Sequence, residues 1–162
     1  MPSFGPASEQ VIETTPLTVH RRVRWGECDP AGVVYTVNFC EYVASAFELF
    51  MAVLLGAPLQ ATKQRLGIAT PARALTLEFT APLRPDDEFT MTVAVADART
   101  RSFDLEVVGR CTDGRDVFRA KLTAIAVAPA SRSAIPLPDV LKRSLDRYKE
   151  ACDVAANRGA DV

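Results

Sequence analysis

Apolar residues first follow a helical period along this chain. Between Phe39 and Leu55 they recur at spacings of three and four, which predicts a helix with one buried face. The stripe consists of Phe39, Val43, Ala46, Phe47, Phe50 and Leu54. Further apolar residues stand off the stripe, at Ala44, Leu49, Met51, Ala52, Val53 and Leu55. The helix is therefore expected to be covered on more than one side.

Beyond Gly67 the apolar period changes to two, which is typical of strands. The alternating segments are Leu75 to Phe79, Phe89 to Val95, Phe103 to Cys111 and, after the turn-forming Asp113-Gly114 pair, Asp116 to Val127. One more strand, Leu17 to Trp25, precedes the long helix. Gly56 fits a helix C-cap, and Pro58 to Gly67 fits a short helix. Pro138 to Ala156 is amphipathic and predicts a final helix.

The order of these elements predicts an α+β domain in which an antiparallel sheet curls around the long helix. With 162 residues, one compact domain is expected. We place that domain at residues 16–156. An N-terminal arm at residues 1–15 is expected to be flexible and poorly ordered, and residues 157–162 are interpreted as a C-terminal tail.

Charge and composition narrow the function classes. The 19 basic and 20 acidic residues give a net charge of -1, so there is no basic footprint for nucleic acid or an anionic membrane. Uninterrupted apolar runs are shorter than the roughly 20 residues of a membrane span. The N-terminus lacks the basic and apolar regions of a signal peptide. We therefore expect a cytoplasmic protein with neither nucleic acid nor membrane as a partner.

Cysteine and histidine usage argues against metal or disulfide chemistry. Four scattered cysteines, Cys28, Cys40, Cys111 and Cys152, are expected to be reduced thiols. His20 is the only histidine, so one chain cannot build a catalytic triad or a multi-histidine metal site. Cys28 has no histidine near it in sequence to activate it and is interpreted as a small buried side chain. We expect no metal and no redox cofactor.

A polar loop, Glu27 to Gly32, precedes the long helix and is the candidate site of chemistry. Asp29 in this loop either caps the helix or acts as a nucleophile or general base. Gly32 lets the backbone turn closely past a ligand. Glu27 either assists Asp29 or forms an ion pair with Arg24, and we favour the ion pair.

The residues that follow the loop provide an apolar wall and backbone donors. Val33, Val34 and Tyr35 form the wall, and the N–H of Thr36, or that of Tyr35, is placed to act as an oxyanion hole at the helix N-terminus. A thioester suits such a sparse site because its thiolate departs more readily than an amine. Asp29 would then supply the attack or activate water.

These residues resemble a known family. The segment WGECDPAGVVYTVNF is similar to the active-site signature of the 4-hydroxybenzoyl-CoA thioesterase family of the hotdog-fold superfamily: aspartate, two residues, glycine, two apolar residues and an aromatic one. The resemblance runs from Thr18 to Ala151, because GIATPA, LTLEFTAPLRPDD, ARTRSF and the final helix follow in the family's order. It implies a hotdog fold in which Asp29 is the catalytic carboxylate and the Thr36 amide polarises the thioester carbonyl.

The same resemblance implies an acyl-coenzyme A substrate, with coenzyme A present only as part of that substrate. The substrate-binding residues that it implies are Gly32, Val34, Asn38, Thr70, Arg99, Arg101 and Ser102. Two arginines two positions apart suit phosphate groups, and an exposed turn with solubilising charges is the alternative interpretation. A single sheet of this kind has an open edge, so a homodimer or homotetramer with active sites at the subunit boundary is expected.

Departures from the family pattern concern the acyl group. Thr36 stands where a bulky residue is common, and Val37 stands where proline or a small residue is common. Ala44 occupies the place where enzymes for hydroxylated aromatic acyl groups carry an acid. An aromatic or medium-size apolar acyl group is therefore expected. Glu41 and Glu48 lie on the helix that carries the catalytic acid in another lineage. We favour solvent-facing or subunit-contact roles for both, and an approach of Glu41 to the substrate is the alternative.

Two other functions are alternatives to thioester hydrolysis. A hydratase or dehydratase acting on acyl thioesters would need an acid–base pair that usually includes histidine. A non-catalytic acyl-CoA-binding protein would keep the pocket and the arginines without a need for Asp29.

Overall fold

The computed structural model describes residues 8–159, and they form a six-stranded antiparallel sheet around one long helix. The strands are β1 (Glu9–Thr14), β2 (Leu17–Arg22), β3 (Ala72–Phe79), β4 (Glu88–Ala98), β5 (Ser102–Cys111) and β6 (Asp116–Ile125). The helices are α1 (Thr36–Leu55), α2 (Leu59–Leu66) and α3 (Asp139–Gly159). The strand order is β1-β2-β4-β5-β6-β3, so β1 and β3 are the two edges.

The inward side chains of the sheet and one face of α1 make the core. Along β4 and β5, alternate residues from Phe89 to Val95 and from Phe103 to Val107 are buried, as the period of two predicts. The buried face of α1 includes Phe39, Val43 and Phe50, and each fully buried apolar side chain of this size contributes about 1.5–3 kcal/mol. The predicted α+β arrangement, a sheet wrapped around a helix, is confirmed.

Glycines end both of the first two helices where the sequence predicts it. Gly56 follows α1 with a φ of 68°, and Gly67 follows α2 with a φ of 65°. This left-handed backbone strongly favours glycine, because a side chain there is strained. The long helix begins at Thr36, where the sequence analysis places its N-terminus, three residues before the first residue of the apolar stripe.

The expectation of a poorly ordered arm over residues 1–15 is wrong for its second half. Glu9–Thr14 forms β1, which pairs with β2. A register irregularity between Val11 and Glu13 breaks the period of two, which explains why no strand pattern is visible in the sequence. Residues 1–7 lie outside the described residues. At the other end α3 continues to Gly159, so the tail predicted from residue 157 is partly helical.

The length argument against a membrane span fails for α1. Its 20 residues are long and apolar enough to cross a membrane by length and composition alone. A core helix passes the same test, and α1 places Phe39, Val43 and Phe50 against the sheet. The last helix, α3, is fixed to the sheet by Tyr148, whose hydroxyl accepts the Leu17 N–H at 2.7 Å and donates to the Val93 carbonyl at 2.6 Å.

An aromatic cluster fixes the first turns of α1 on the sheet. The ring of Phe39 meets those of Tyr42, Phe79 and Phe118 edge to face, with centroids 5.0–5.6 Å apart. The Phe118 ring lies directly over Gly109 of the neighbouring strand, where a Cβ atom would stand 2.2 Å from the ring. The absence of a side chain at Gly109 is therefore what lets the cluster close.

This packing predicts that Gly109→Ala destabilises the protein. The added methyl group displaces Phe118, and such overpacking typically costs about 1–3 kcal/mol of unfolding free energy. Urea denaturation measures the change. Gly26→Ala is the matched control, because a Cβ at Gly26 meets nothing within 4 Å, and its unfolding midpoint should match the wild type. Equal midpoints for Gly109→Ala and the wild type would contradict this account of the cluster.

Candidate active site

The acid loop is a small hairpin that presents Asp29. Cys28 and Val34 form a bridge, and the Asp29 N–H donates to the Val33 carbonyl at 2.9 Å. Gly32 turns the chain with a φ of 77° and donates to the Asp29 carbonyl at 2.9 Å. The half-buried Asp29 side chain accepts the Ala31 N–H at 2.8 Å through Oδ1. Its Oδ2 makes no hydrogen bond with a described residue.

The first turn of α1 begins beside this hairpin without a side-chain cap. Asp29 stabilises its own turn, so the interpretation of Asp29 as a helix cap is wrong. The Tyr35 N–H donates to the Glu27 carbonyl at 3.0 Å, and the Asn38 N–H donates to the Tyr35 carbonyl at 2.8 Å. Within residues 8–159 no acceptor takes the Thr36 N–H. Of the two predicted oxyanion donors, the Thr36 amide is therefore the one that is free.

An open cleft of about 350 Å³ lies beside the start of α1, and Thr36 is one of its lining residues. It is lined by Val33, Val34, Thr36, Phe39, Phe79, Thr80, Ala81, Pro82 and Leu83. None of these side chains is charged, and the Phe39 and Phe79 rings contact each other with centroids 5.0 Å apart. Asp29 is not among the lining residues of the single chain, although it precedes Val33 and Val34 in the same hairpin. Phe79, at the end of the edge strand β3, is 49% exposed.

A buried ionic network supports the hairpin from behind. Glu27 is 5% exposed and accepts hydrogen bonds from the Arg21 and Arg24 guanidinium groups and from the Tyr42 hydroxyl. The predicted Arg24–Glu27 ion pair is thus confirmed, at 3.0 Å. Burial disfavours the Glu27 charge, but the hydrogen bonds from Arg24, Arg21 and Tyr42 outweigh it and hold the pKa of this carboxyl below its usual value. No sequence pattern indicates Arg21 and Tyr42 as partners of Glu27, because only the fold brings them together.

Arg99, which was predicted to bind phosphate, forms ion pairs with two carboxylates of its own chain. Its guanidinium group donates to Asp104 through two nitrogens, at 2.6 and 3.0 Å, and to Asp97 at 2.9 Å. Its Nε donates to the Ser102 hydroxyl at 3.0 Å. Asp104 is buried, and the Arg99 hydrogen bonds hold its pKa far below the usual range. Arg101 is exposed, and in the described part of the chain it forms no ion pair.

The β4–β5 turn that carries Arg99 and Arg101 lies far from the acid loop of the same chain. The segment that leads from β2 into the acid loop is held next to the start of β4, where Val23 exchanges backbone hydrogen bonds with Asp86 and Asp87. The turn follows the other end of β4, ten residues away, which is about 33 Å along a strand. The structure therefore does not bring Asp29 and Arg101 of one chain into one site.

Other predicted residues occupy varied positions. The Asn38 side chain donates to the Glu27 carbonyl at 2.6 Å, and the buried Thr70 hydroxyl has no hydrogen-bond partner among the described residues. His20 lies 3.5 Å from Glu88, away from the cleft.

Burial and the nearby carboxylates of Glu27, Asp29 and Asp87 raise the pKa of Cys28, which disfavours a thiolate nucleophile. Exposed residues on α1 include Glu41, Ala44 and Glu48, and all four cysteines are free thiols.

Comparison with known proteins gives consistent matches. The sequence profile described as the Thioesterase-like superfamily matches residues 23–145. A 4-hydroxybenzoyl-CoA thioesterase of Pseudomonas sp. (strain CBS-3) is 29% identical over 104 residues, 62% of this chain and 73% of the relative. A 1,4-dihydroxy-2-naphthoyl-CoA hydrolase of Thermosynechococcus vestitus is 28% identical over 148 residues, 91% of this chain and 99% of the relative.

Solved structures share the fold. A Staphylococcus aureus protein in complex with CoA superposes with a TM-score of 0.77 at 14% identity, covering 91% of this chain and 89% of that one. A variant 4-hydroxybenzoyl-CoA thioesterase complexed with 4-hydroxybenzoyl-CoA superposes with a TM-score of 0.71 at 24% identity, covering 83% of this chain and 96% of that one.

The Asp104 cluster predicts a defined pH dependence of stability. Because the folded-state pKa of Asp104 lies below its unfolded value of about 3.9, the ionised side chain stabilises the fold above that pH. This stability is lost as the pH falls below about 4. Asp104→Asn should therefore lower the unfolding free energy at pH 7 by about 1–3 kcal/mol. Urea denaturation should show this gap closing as the pH falls toward 2, whereas a gap that is constant with pH would contradict the assignment.

Proposed function

Because the chain belongs to the Thioesterase-like superfamily, we propose that it hydrolyses the thioester bond of an acyl-coenzyme A with an aromatic or medium-size apolar acyl group. The family assignment confirms the resemblance drawn from the sequence, the hotdog fold and the class of enzyme, a thioester hydrolase. One observation carries the proposed mechanism. The hairpin that carries half-buried Asp29 also supplies Val33 and Val34 to an uncharged cleft, and Thr36, whose N–H has no acceptor among the described residues, lines the same cleft.

The proposed reaction uses one donor and one carboxylate. The thioester oxygen accepts the Thr36 N–H, which stabilises the charge that develops on that oxygen. The Asp29 carboxylate either adds to the carbonyl carbon, to give an anhydride that water then opens, or takes a proton from the water that attacks. In both routes the carbon–sulfur bond breaks, and the thiolate of coenzyme A departs and is protonated. Water adds to the acyl carbon, directly or with release of the Asp29 carboxylate from the anhydride, so the acid product carries the oxygen of water.

The shape and chemistry of the cleft support an aromatic acyl group. Phe39 and Phe79 offer ring faces and edges next to the Thr36 amide, and no charged side chain lines the cleft. Ala44 is exposed on α1 and has no polar group for a ring hydroxyl. The two curated relatives carry names that specify aromatic acyl-CoA substrates, hydroxybenzoyl and dihydroxynaphthoyl. We assign this protein an aromatic substrate with an apolar ring.

The edge strand β3 supports a homodimer. It pairs only with β6, so one side of its backbone has no partner strand among the described residues. On this strand Leu75 is 39% exposed, and Phe79 is 49% exposed although its ring also contacts Phe39 of α1. Unpaired apolar edges are rare in stable monomers. We propose that β3 pairs antiparallel with β3 of a second copy, and a tetramer of two such dimers stays a prediction.

Antiparallel pairing would complete the active site from two subunits. The strand register places Phe79 level with Phe118 and Gly109, toward the acid loop, and Ala72 level with Ala124 and Phe103, toward the β4–β5 turn. A two-fold axis at β3 reverses this order in the partner. The β4–β5 turn of the partner subunit would then lie at the end of the sheet where Asp29 stands. This arrangement removes the separation of about 33 Å within one chain.

Arg101 is the phosphate-binding residue in this proposal. Its guanidinium group is free for an anion, whereas that of Arg99 is shared by Asp97 and Asp104. Arg99 and Ser102 would fix the turn, and Arg101 would bind the nucleotide part of coenzyme A. The absence of a metal or redox cofactor and a cytoplasmic location stay predictions.

The first test replaces the carboxylate. Asp29→Asn keeps the size of the side chain and removes its basicity and nucleophilicity, so turnover should fall by at least about a hundredfold with folding retained. Thiol release from benzoyl-CoA and from aliphatic acyl-CoAs measures it, and circular dichroism checks the fold. Glu41→Gln, at an exposed acid on α1, is the matched control and should keep wild-type turnover. Wild-type turnover in Asp29→Asn would remove Asp29 from its role.

The second test asks whether one site uses both subunits. A heterodimer of Asp29→Asn and Arg101→Ala chains, purified through two different affinity tags, contains one intact composite site under this proposal. Its kcat/KM for benzoyl-CoA should be about half that of the wild type. The Arg101→Ala homodimer should be reduced by about tenfold or more. If the two residues act within one chain, the heterodimer instead shows about half the value of the Arg101→Ala homodimer.

A further inference from the structure

We propose that Glu27 is a positioning residue that sets the distance between Asp29 and the Thr36 amide, an inference that rests on the proposed function. Glu27 stands two residues before Asp29 and is hydrogen-bonded through its backbone to Tyr35, the residue before Thr36. One buried residue is thereby attached to both halves of the candidate site. A displacement of Glu27 would move the carboxylate and the oxyanion donor relative to each other.

The backbone carbonyl of Glu27 makes the first connection. It accepts the Tyr35 N–H at 3.0 Å and the Asn38 side-chain N–H at 2.6 Å. Both donors belong to the start of α1, so the helix turn is held against the acid loop at two points. The Asn38 side chain was expected to contact substrate, and here it serves as the second of these points.

The side chain of Glu27 makes the second connection and is fully occupied. Its Oε1 accepts Arg21 at 2.7 Å and Arg24 Nη2 at 3.0 Å, and its Oε2 accepts the Arg24 N–H at 2.8 Å and the Tyr42 hydroxyl at 3.0 Å. A carboxylate that is buried and saturated with donors has no lone pair directed at a substrate. This geometry excludes Glu27 as the catalytic acid or base and leaves it a role in holding the site.

Arg21 extends these contacts to the edge of the sheet. Its guanidinium group lies over the Tyr42 ring, 4.5 Å from the centroid, and also bonds Glu9 of β1. Glu9 in turn accepts a hydrogen bond from Ser45 on α1. The contacts therefore close through β1, β2, the acid loop and α1. The Arg21–Glu27 pair at the centre of these contacts is buried, and breaking such a pair is costly, which suits a site whose donor and carboxylate must hold a fixed separation.

A merely structural role for Glu27 predicts a different outcome from a positioning role. If Glu27 only stabilises the fold, its loss lowers the melting temperature and leaves the kcat of the folded enzyme unchanged. If Glu27 positions the site, kcat falls in fully folded enzyme while the KM for the coenzyme A ester changes little. The loss should also depend on Asp29, because Glu27 acts through the placement of that carboxylate.

The test is a double-mutant cycle of Glu27→Gln and Asp29→Asn, measured well below the melting temperature of every variant. Glu27→Gln alone should lower kcat for benzoyl-CoA about tenfold or more, with KM within about twofold of the wild type. In the Asp29→Asn background the same change should have almost no further effect on kcat. Asn38→Ala removes the side-chain hydrogen bond to the Glu27 carbonyl and leaves the Glu27 charge, so it should also lower kcat with little change in KM.

Tyr148→Phe is the matched control, because it removes buried hydrogen bonds on α3, away from the acid loop, and should lower the melting temperature with kcat unchanged. Wild-type kcat in folded Glu27→Gln, together with a large loss in Asp29→Asn, would overturn the positioning role alone. Multiplicative losses in the double variant would also overturn it. Wild-type turnover in Asp29→Asn would instead overturn the proposed function.

Discussion

The first turn of α1 carries a backbone donor that no side chain caps, and the other features of the site follow from where that donor points. The first amides of a helix have no acceptor within the helix and are normally satisfied by a capping side chain, by water or by a ligand. Here the Tyr35 amide is taken by the Glu27 carbonyl, whereas the Thr36 amide has no acceptor among the described residues and Thr36 lines the cleft. The aromatic packing of Phe39 fixes that turn on the sheet. In the proposed function this donor is held in place before the substrate binds, and such preorganisation is what makes a donor effective in a transition state.

A second constraint comes from the sheet. One sheet of six strands covers α1 from one side and leaves β3 as an apolar edge. The same strand supplies Phe79 to the cleft, so the unpaired edge of the sheet and the open cleft lie next to each other. Within one chain, the length of β4 separates Arg101 from the acid loop. Pairing of β3 with a second copy would cover the sheet edge, close the cleft and bring Arg101 of one chain to the acid loop of the other.

The sequence predicted what depends on local spacing. The helical stripe and the strand period come from burial on one face, so the fold class was readable, and the acid loop and helix start are close enough in sequence for Asp29 and Thr36 to be predicted together. Contacts between distant segments were not readable. Arg99 is engaged because the strand register sets Asp104 opposite Asp97, and no spacing rule reveals that. The strand β1 was not predicted, because its irregular pairing with β2 breaks the alternation of apolar and polar residues.

A crystal structure with phenacyl-CoA, a ketone analogue that keeps the carbonyl and cannot lose its thiol, tests the central claim most directly. The account predicts the carbonyl oxygen about 2.7–3.1 Å from the Thr36 nitrogen and the carbonyl carbon about 3–3.5 Å from an Asp29 carboxylate oxygen. The phenyl ring should lie between Phe39 and Phe79, with the nucleotide phosphates on the other subunit's β4–β5 turn. A carbonyl remote from the Thr36 amide, or phosphates held by the same chain, would contradict it.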